Sequence, residues 1–248
     1  MKRLVIAGHS HAYAVTGRAA SSVSEIRRIT PRVDALIGPW PRAEDYWCEL
    51  RRQSQDSIVA LLWGGNEHNA RFFFLPAQPF DFVVARRALL PIQVVFDLVP
   101  ESLVRARFQP LKTSLVNFLY EFSELQKRNV LVVGTPPPKR DETALRQFIR
   151  SETHFRVWVD SRASPGDDIP INLPFIRLKL WLIVQDMLSE AAVAAGVRFL
   201  PVPKAACDAD GFLLREYWAG DITHANLEYG NLLLAYVLDY CDREFEVG

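Results

Sequence analysis

Leu4-Val5-Ile6-Ala7-Gly8-His9-Ser10-His11 decides how the rest of the 248-residue chain is read: an apolar run, a glycine, then three polar side chains. An uninterrupted apolar run suits a parallel strand covered on both faces. Gly8 allows the backbone to turn sharply at its end. Ser10 is thereby placed at the carboxyl end of a first strand, where open α/β sheets hold their ligands.

Similar runs recur at residues 33–37, 57–63, 130–133 and 197–200 and, with residues 3–7, predict five strands. Helical patterns lie between and after them, at residues 42–53, 110–127, 142–150, 173–195 and 225–240. Alternation of this kind predicts an α/β fold with a parallel sheet and right-handed crossovers. In the 173–195 segment Ile176, Leu180, Val184, Met187, Leu188 and Ala191 recur at helical spacing, and Gly196 can take the left-handed terminating conformation. The first crossover, 12–29, is assigned helix although Gly17, Ser21, Ser22 and Ser24 weaken it. Segment 67–108 breaks the alternation. It carries Phe72-Phe73-Phe74 and four prolines, and reads as an inserted excursion, either a lid or an extra hairpin. Ser164 to Asp168 reads as a surface turn, and nothing resembling a linker divides the chain, so one domain spanning 1–248 is expected.

Composition narrows the partners. Lys plus Arg and Asp plus Glu both number 29, which leaves no electrostatic reason to bind nucleic acid or an anionic membrane. Cys48, Cys207 and Cys241 fit neither a disulfide framework nor a paired-cysteine zinc site, and read as buried thiols in a reducing compartment. The apolar stretch at 4–7 is too short for a signal-peptide core. Arg177, Lys179, Gln185, Asp186 and Glu190 argue against a membrane span at 173–195. A soluble cytoplasmic protein acting on a small-molecule or carbohydrate substrate, without a cofactor, is expected.

A serine hydroxyl needs a base within hydrogen-bond reach, usually a histidine oriented by a carboxylate. Asp221-Ile222-Thr223-His224, just before the last helix, supplies both. Its three-residue offset lets the carboxylate meet one ring nitrogen and leaves the other for Ser10. Trp63-Gly64-Gly65-Asn66 ends the third strand and puts an amide NH2 at the same sheet edge, and Gly38 after the second strand offers a backbone N–H. Such donors stabilise an oxyanion.

Ser10, Gly38, Asn66 and His224, in that order and each in strand-end or pre-helix context, resemble the four motif residues of the SGNH (GDSL-like) hydrolases, and Asp221 lies three residues before His224 as in that family. The resemblance spans nearly the whole chain. It implies a flavodoxin-like three-layer α/β/α sandwich with five parallel strands, and ester hydrolysis or acyl transfer through an acyl-enzyme on Ser10. The family's common Gly-Asp-Ser is Gly8-His9-Ser10 here, and its Gly-x-Asn-Asp is Gly64-Gly65-Asn66-Glu67.

Each residue also has a plainer reading: Ser10 as a helix cap, Asp221 and Asn66 as turn formers, Gly38 as a flexible joint. His9, His11 and His68 flank the proposed pocket. They either line the substrate site or, with Asp221 and His224, form a metallohydrolase centre. Trp40, Trp47 and Trp218 read as core or as a sugar-stacking platform. A catalytically silent binding module of the same fold is the rival from another class, for which His9 in place of Asp is the hint.

Overall fold

A computed structural model describes residues 2–17, 23–39, 41–151 and 170–245. The apolar runs form the strands they predict: β1 (Leu4–Gly8), β3 (Val33–Ile37), β4 (Ile58–Leu62), β7 (Val130–Val133) and β8 (Arg198–Leu200). Among the described residues the main sheet has the order β2-β3-β1-β4-β7-β8, where β2 is Glu25–Arg28. β1 lies between two parallel neighbours, with Leu4 opposite Val33 on β3 and Ile58 on β4. The five parallel strands therefore run second, first, third, fourth, fifth, the flavodoxin-like order.

Period-two alternation divides the core. Val5, Ala7, Val59, Leu61, Val130 and Val132 face a cluster that includes residues of three helices, α2 (Glu44–Gln53), α4 (Glu101–Tyr120) and α7 (Pro174–Ala194). Leu4, Ile6, Ile58, Ala60, Leu62 and Leu131 face the other side, against α1 (Tyr13–Thr16) and α8 (Leu227–Phe245). The sandwich is thus three layers deep, as expected. Chain leaving β1 passes to one face and chain leaving β4 to the other, which opens a crevice at their carboxyl ends.

Three expectations change. The helix assigned to 12–29 is confined, among the described residues, to a turn at Ser10–Ala12 and to α1, which Gly17 ends with φ 71°. The chain then forms β2, antiparallel to β3, with Ile26 opposite Leu36. Its sequence, Glu-Ile-Arg-Arg, is the charged composition that protects a sheet edge, which is why no apolar pattern announced it. Second, the helix expected from 110 begins at Glu101 and runs through Pro110. Val104, Phe108, Leu111, Leu115 and Phe118 make a continuous buried stripe on both sides of the proline. Burying side chains of that size contributes about 1.5–3 kcal/mol each, enough to offset the roughly 3 kcal/mol a mid-helix proline costs. The helix stops at Tyr120, and a separate turn, α5 (Glu124–Lys127), starts from a Ser123–Gln126 capping box.

Third, the excursion is not a hairpin. It holds α3 (Glu67–Phe72) and a parallel pair, β5 (Phe80–Asp81) with β6 (Asp97–Leu98), before α4 begins. A fully buried ion pair, Lys179 Nζ to Asp81 Oδ1 at 2.7 Å, pins it to α7. The remaining helix, α6 (Glu142–Ser151), matches its prediction. Of the three cysteines expected to be buried, Cys241 is, Cys207 is partly so, and Cys48 is exposed on α2; the turn expected at 164–168 and Trp40 lie outside the described residues.

Candidate active site

At the floor of the crevice the ends of β1 and β4 approach so closely that only glycine fits. Gly8 has φ 128°, and a Cβ there would lie 2.1 Å from the Leu62 carbonyl oxygen. The next residue completes the join: His9 N–H donates to Leu62 O at 2.8 Å. Tyr46, fully buried, accepts from Gly8 N–H at 2.8 Å and donates to Leu36 O at 3.0 Å, tying the ends of β1 and β3 together. Arg42 adds bonds to the carbonyls of Gly8 (3.2 Å), Pro39 (3.1 Å) and Gly38.

Ser10 opens the turn that follows. The cap positions of this turn and of α1 are His9 and Ala12, neither with a side-chain cap bond, so helix capping does not account for Ser10. His9 Nδ1 accepts the Gly64 N–H at 2.9 Å, which places the ring proton on Nε2. Burial, helped by the Arg42 charge, pushes His9 down to about 4, so it is neutral near pH 7. Its ring packs against Trp63 at 4.7 Å and Trp47 at 5.2 Å, and lines a groove of about 910 Å³ between α2 and α4. His9 is therefore a neutral brace between the ends of β1 and β4.

Asn66 precedes α3, and its Oδ1 accepts from Asn69 Nδ2 at 2.9 Å. That bond orients the amide and leaves its NH2 as the donor end. Gly65, at φ 93°, has room for no Cβ, which would meet Thr135 Cγ2 at 2.2 Å. Gly38 ends β3 beside Arg42, which occupies its carbonyl. His11 and His68 are both buried, each 3% exposed, and burial pushes His68 down to about 3.

The base arrives from the far end of the chain. Asp221 Oδ2 accepts from His224 Nδ1 at 3.0 Å, while Oδ1 accepts the backbone N–H groups of Thr223 (2.9 Å) and His224 (2.6 Å). Asp221 thus shapes the turn and orients the imidazole at once, so its two readings coincide. Burial acts to raise the carboxyl pKa, but the hydrogen bonds and charge of His224, with the Lys139 charge, outweigh it and hold Asp221 well below the usual carboxylate range. Rings of His11 and His224 lie 5.5 Å apart, which puts this loop against the Ser10 turn. His224 Nε2 is buried and has no hydrogen-bond partner among the described residues, so the Ser10–His224 bond is not made in this structure. Catalytic hydrogen bonds commonly tighten only once substrate is bound.

Sequence reading missed the cations that hold this loop. Lys139, 1% exposed, donates to Ala219 O at 2.8 Å and to Asp221 O, and lies 3.8 Å from Asp221 Oδ1. Arg177 lies behind it, donating to Asn172 O (3.0 Å), Lys139 O (2.9 Å) and Arg140 O (3.2 Å). Burial lowers its pKa to about 10, so it stays charged near pH 7. The available signals were Lys139 placed after Pro136-Pro137-Pro138 beyond β7, and an arginine inside an otherwise apolar helix.

Among the described residues no group of three or more His, Cys, Asp and Glu side chains is arranged to hold a metal ion. Nor is any helix among them long and apolar enough to cross a membrane. No protein-family model matches the chain, and no curated protein matches it. Among solved structures, the chain is similar to a lipase/acylhydrolase from Enterococcus faecalis, with 14% identity, TM-score 0.45, and coverage of 97% of this chain and 95% of that one. It is similar to an extracellular lipase from Streptomyces rimosus at 13% identity and TM-score 0.45, covering 97% and 99%. It is similar to phospholipase A1 from Streptomyces albidoflavus at 15% identity and TM-score 0.43, covering 96% and 98%.

Proposed function

We propose that the protein is a serine esterase of SGNH type, with Ser10 as nucleophile, His224 as base and Asp221 as the carboxylate that orients it. The observation that carries this reading is the Asp221–His224 pair. Its carboxylate is engaged on Nδ1, its Nε2 is uncommitted, and it lies against the turn that presents Ser10 at the carboxyl end of β1. Ser10 Oγ attacks the ester carbonyl as its proton passes to His224 Nε2, and the imidazolium is stabilised by Asp221. The oxyanion is received by the Asn66 NH2 and by the N–H groups of Ser10 and Gly38. Protonated His224 then delivers its proton to the leaving alcohol.

In this reading the substrate carries a small acyl group, such as acetyl on a carbohydrate, and its alcohol part extends toward the groove lined by His9, the residue before Ser10. The groove starting at His9 combines Trp47 and Trp63 with the polar side chains of Gln109, Thr113, Ser114 and Asn117 on α4. Segment 67–108 belongs to the same single domain in this reading, since α3 follows Asn66 directly and Asp81 is pinned to α7.

A fluorophosphonate probe tests the nucleophile without knowledge of the substrate. Intact mass should rise by one probe in the wild type and not in Ser10→Ala or His224→Ala. An unlabelled wild type would overturn the esterase reading in favour of a binding module.

A further inference from the structure

Histidine 11 follows the nucleophile in the same turn, yet the mechanism above leaves it idle. It is 3% exposed, and neither Nδ1 nor Nε2 has a hydrogen-bond partner among the described residues. Leaving a buried polar group unpaired destabilises the folded chain, and a leucine of similar bulk would carry no such cost. The penalty falls beside another unpaired nitrogen, His224 Nε2, on a ring whose centroid is 5.5 Å from that of His11 and tilted by 57°. A ring nitrogen lies about 1.2 Å from its ring centroid, so nitrogens on the facing edges of these two rings come closer together than the centroids and within the roughly 5.6 Å that one oxygen with two hydrogen bonds of about 2.8 Å can span. That separation lets one oxygen atom serve both rings.

We propose that His11 is a positioning residue that selects water as the nucleophile for deacylation. This rests on the esterase reading. Burial, with the neighbouring His224 and His68, outweighs the opposing pull of Asp221 and keeps His11 neutral, so one ring nitrogen remains an acceptor. Water has two hydrogens. One is transferred to His224 Nε2 as the water oxygen bonds to the acyl carbon, and the other is donated to the His11 acceptor nitrogen. When the tetrahedral intermediate collapses, the bond from acyl carbon to Ser10 Oγ breaks, and Oγ takes back the proton from His224. A carboxylic acid and free Ser10 result, with no net proton on His11. An alcohol has a single hydroxyl hydrogen, which goes to His224, so it leaves the His11 acceptor unsatisfied. The geometry thus favours hydrolysis over acyl transfer.

The test uses p-nitrophenyl acetate, read by stopped flow and by product analysis with methanol present, on wild type, His11→Leu and His11→Gln. His11→Leu should keep fluorophosphonate labelling and a nitrophenol burst of about one per enzyme. Its steady-state rate should drop about 10- to 100-fold, and its ratio of methyl acetate to acetate should rise by a similar factor. A melting temperature at or above that of wild type is expected for this variant, because two unpaired nitrogens are removed. His11→Gln, whose carbonyl restores an acceptor, should return the product ratio toward wild type. If burst and steady state fall together, or the product ratio does not move, His11 is only structural and the inference is overturned. A wild type that neither labels nor turns over removes the esterase reading and this one with it, whereas labelling with an unchanged ratio removes this one alone.

Discussion

The two halves of the candidate site are held in different ways. On the Ser10 side the support comes from strand ends: Gly8 packs against Leu62, Tyr46 and Arg42 bind neighbouring backbone, and His9 receives the Gly64 N–H. On the Asp221–His224 side the sheet takes no part: the loop is closed by an isolated antiparallel bridge of Trp218 with Ala225, and Ala219 N–H donates to His224 O at 3.1 Å. That loop is held by Lys139, itself backed by Arg177, two buried cations from elsewhere in the chain. A hydrogen-bonded sheet edge is specified over its whole length and resists single changes. A short loop that also leans on a buried ammonium is more sensitive to a single change, because removing that side chain leaves carbonyls and a carboxylate without their counter-group.

Substitutions that sharpen this contrast differ in size. Ser10→Ala should lower ester turnover by at least about 10³-fold while leaving thermal stability unchanged, since Ser10 caps neither its own turn nor α1. Turnover and melting temperature measured on the same sample check this; a large drop in stability would break the separation between chemistry and support. Asn66→Ala should reduce kcat about 10²- to 10³-fold, the usual effect of one oxyanion donor, with KM little altered.

Lys139→Met tests the other half. Loss of the buried ammonium should cost about 3 kcal/mol in urea unfolding. The same variant should lower turnover, because Asp221 and His224 lose their anchor while the Ser10 turn keeps its own. Unchanged stability would show that the loop is held by other contacts.

The last effect builds up over several pH units rather than at one side chain. His9 and His68 titrate near 4 and 3 in the folded chain, and His11 is also depressed, against about 6.5 unfolded. Between these limits the unfolded chain binds more protons, so their contribution is fully present above about pH 6.5 and is lost as pH falls. Each group adds a slope of up to about 1.4 kcal/mol per pH unit. Denaturation midpoints followed from pH 7 to pH 4 should decline, and His68→Gln should flatten the decline. A flat profile in the wild type would show these imidazoles to be solvated.

Legibility followed the range of the interactions. Four of the five parallel strands were readable as short apolar runs buried on both faces, and β8, an edge strand with Arg198 exposed, through the apolar residues around it at 197–200. β2 was not, since an edge strand is recognised by what it pairs with and its own residues are polar. The start of α4 was hidden by Pro110, a local stop signal that packing overrides. Within the site, Asp221 and His224 were found through their three-residue spacing, and the bond between them forms as that spacing requires. Lys139, Tyr46 and Arg42 were missed because their partners are backbone groups of distant segments, which leave no mark on local pattern.

The order of strands and helices, the glycine turn after β1 and the Asp-x-x-His turn were determined by the sequence itself, since each depends on residues within one or two turns of the chain. Tertiary structure alone decided that His9 is a neutral brace, that His11 is buried unpaired beside His224, and that a lysine eighty-two residues upstream holds the Asp221 carbonyl. Burial and desolvation are properties of the assembled neighbourhood, and no run of residues carries them in advance.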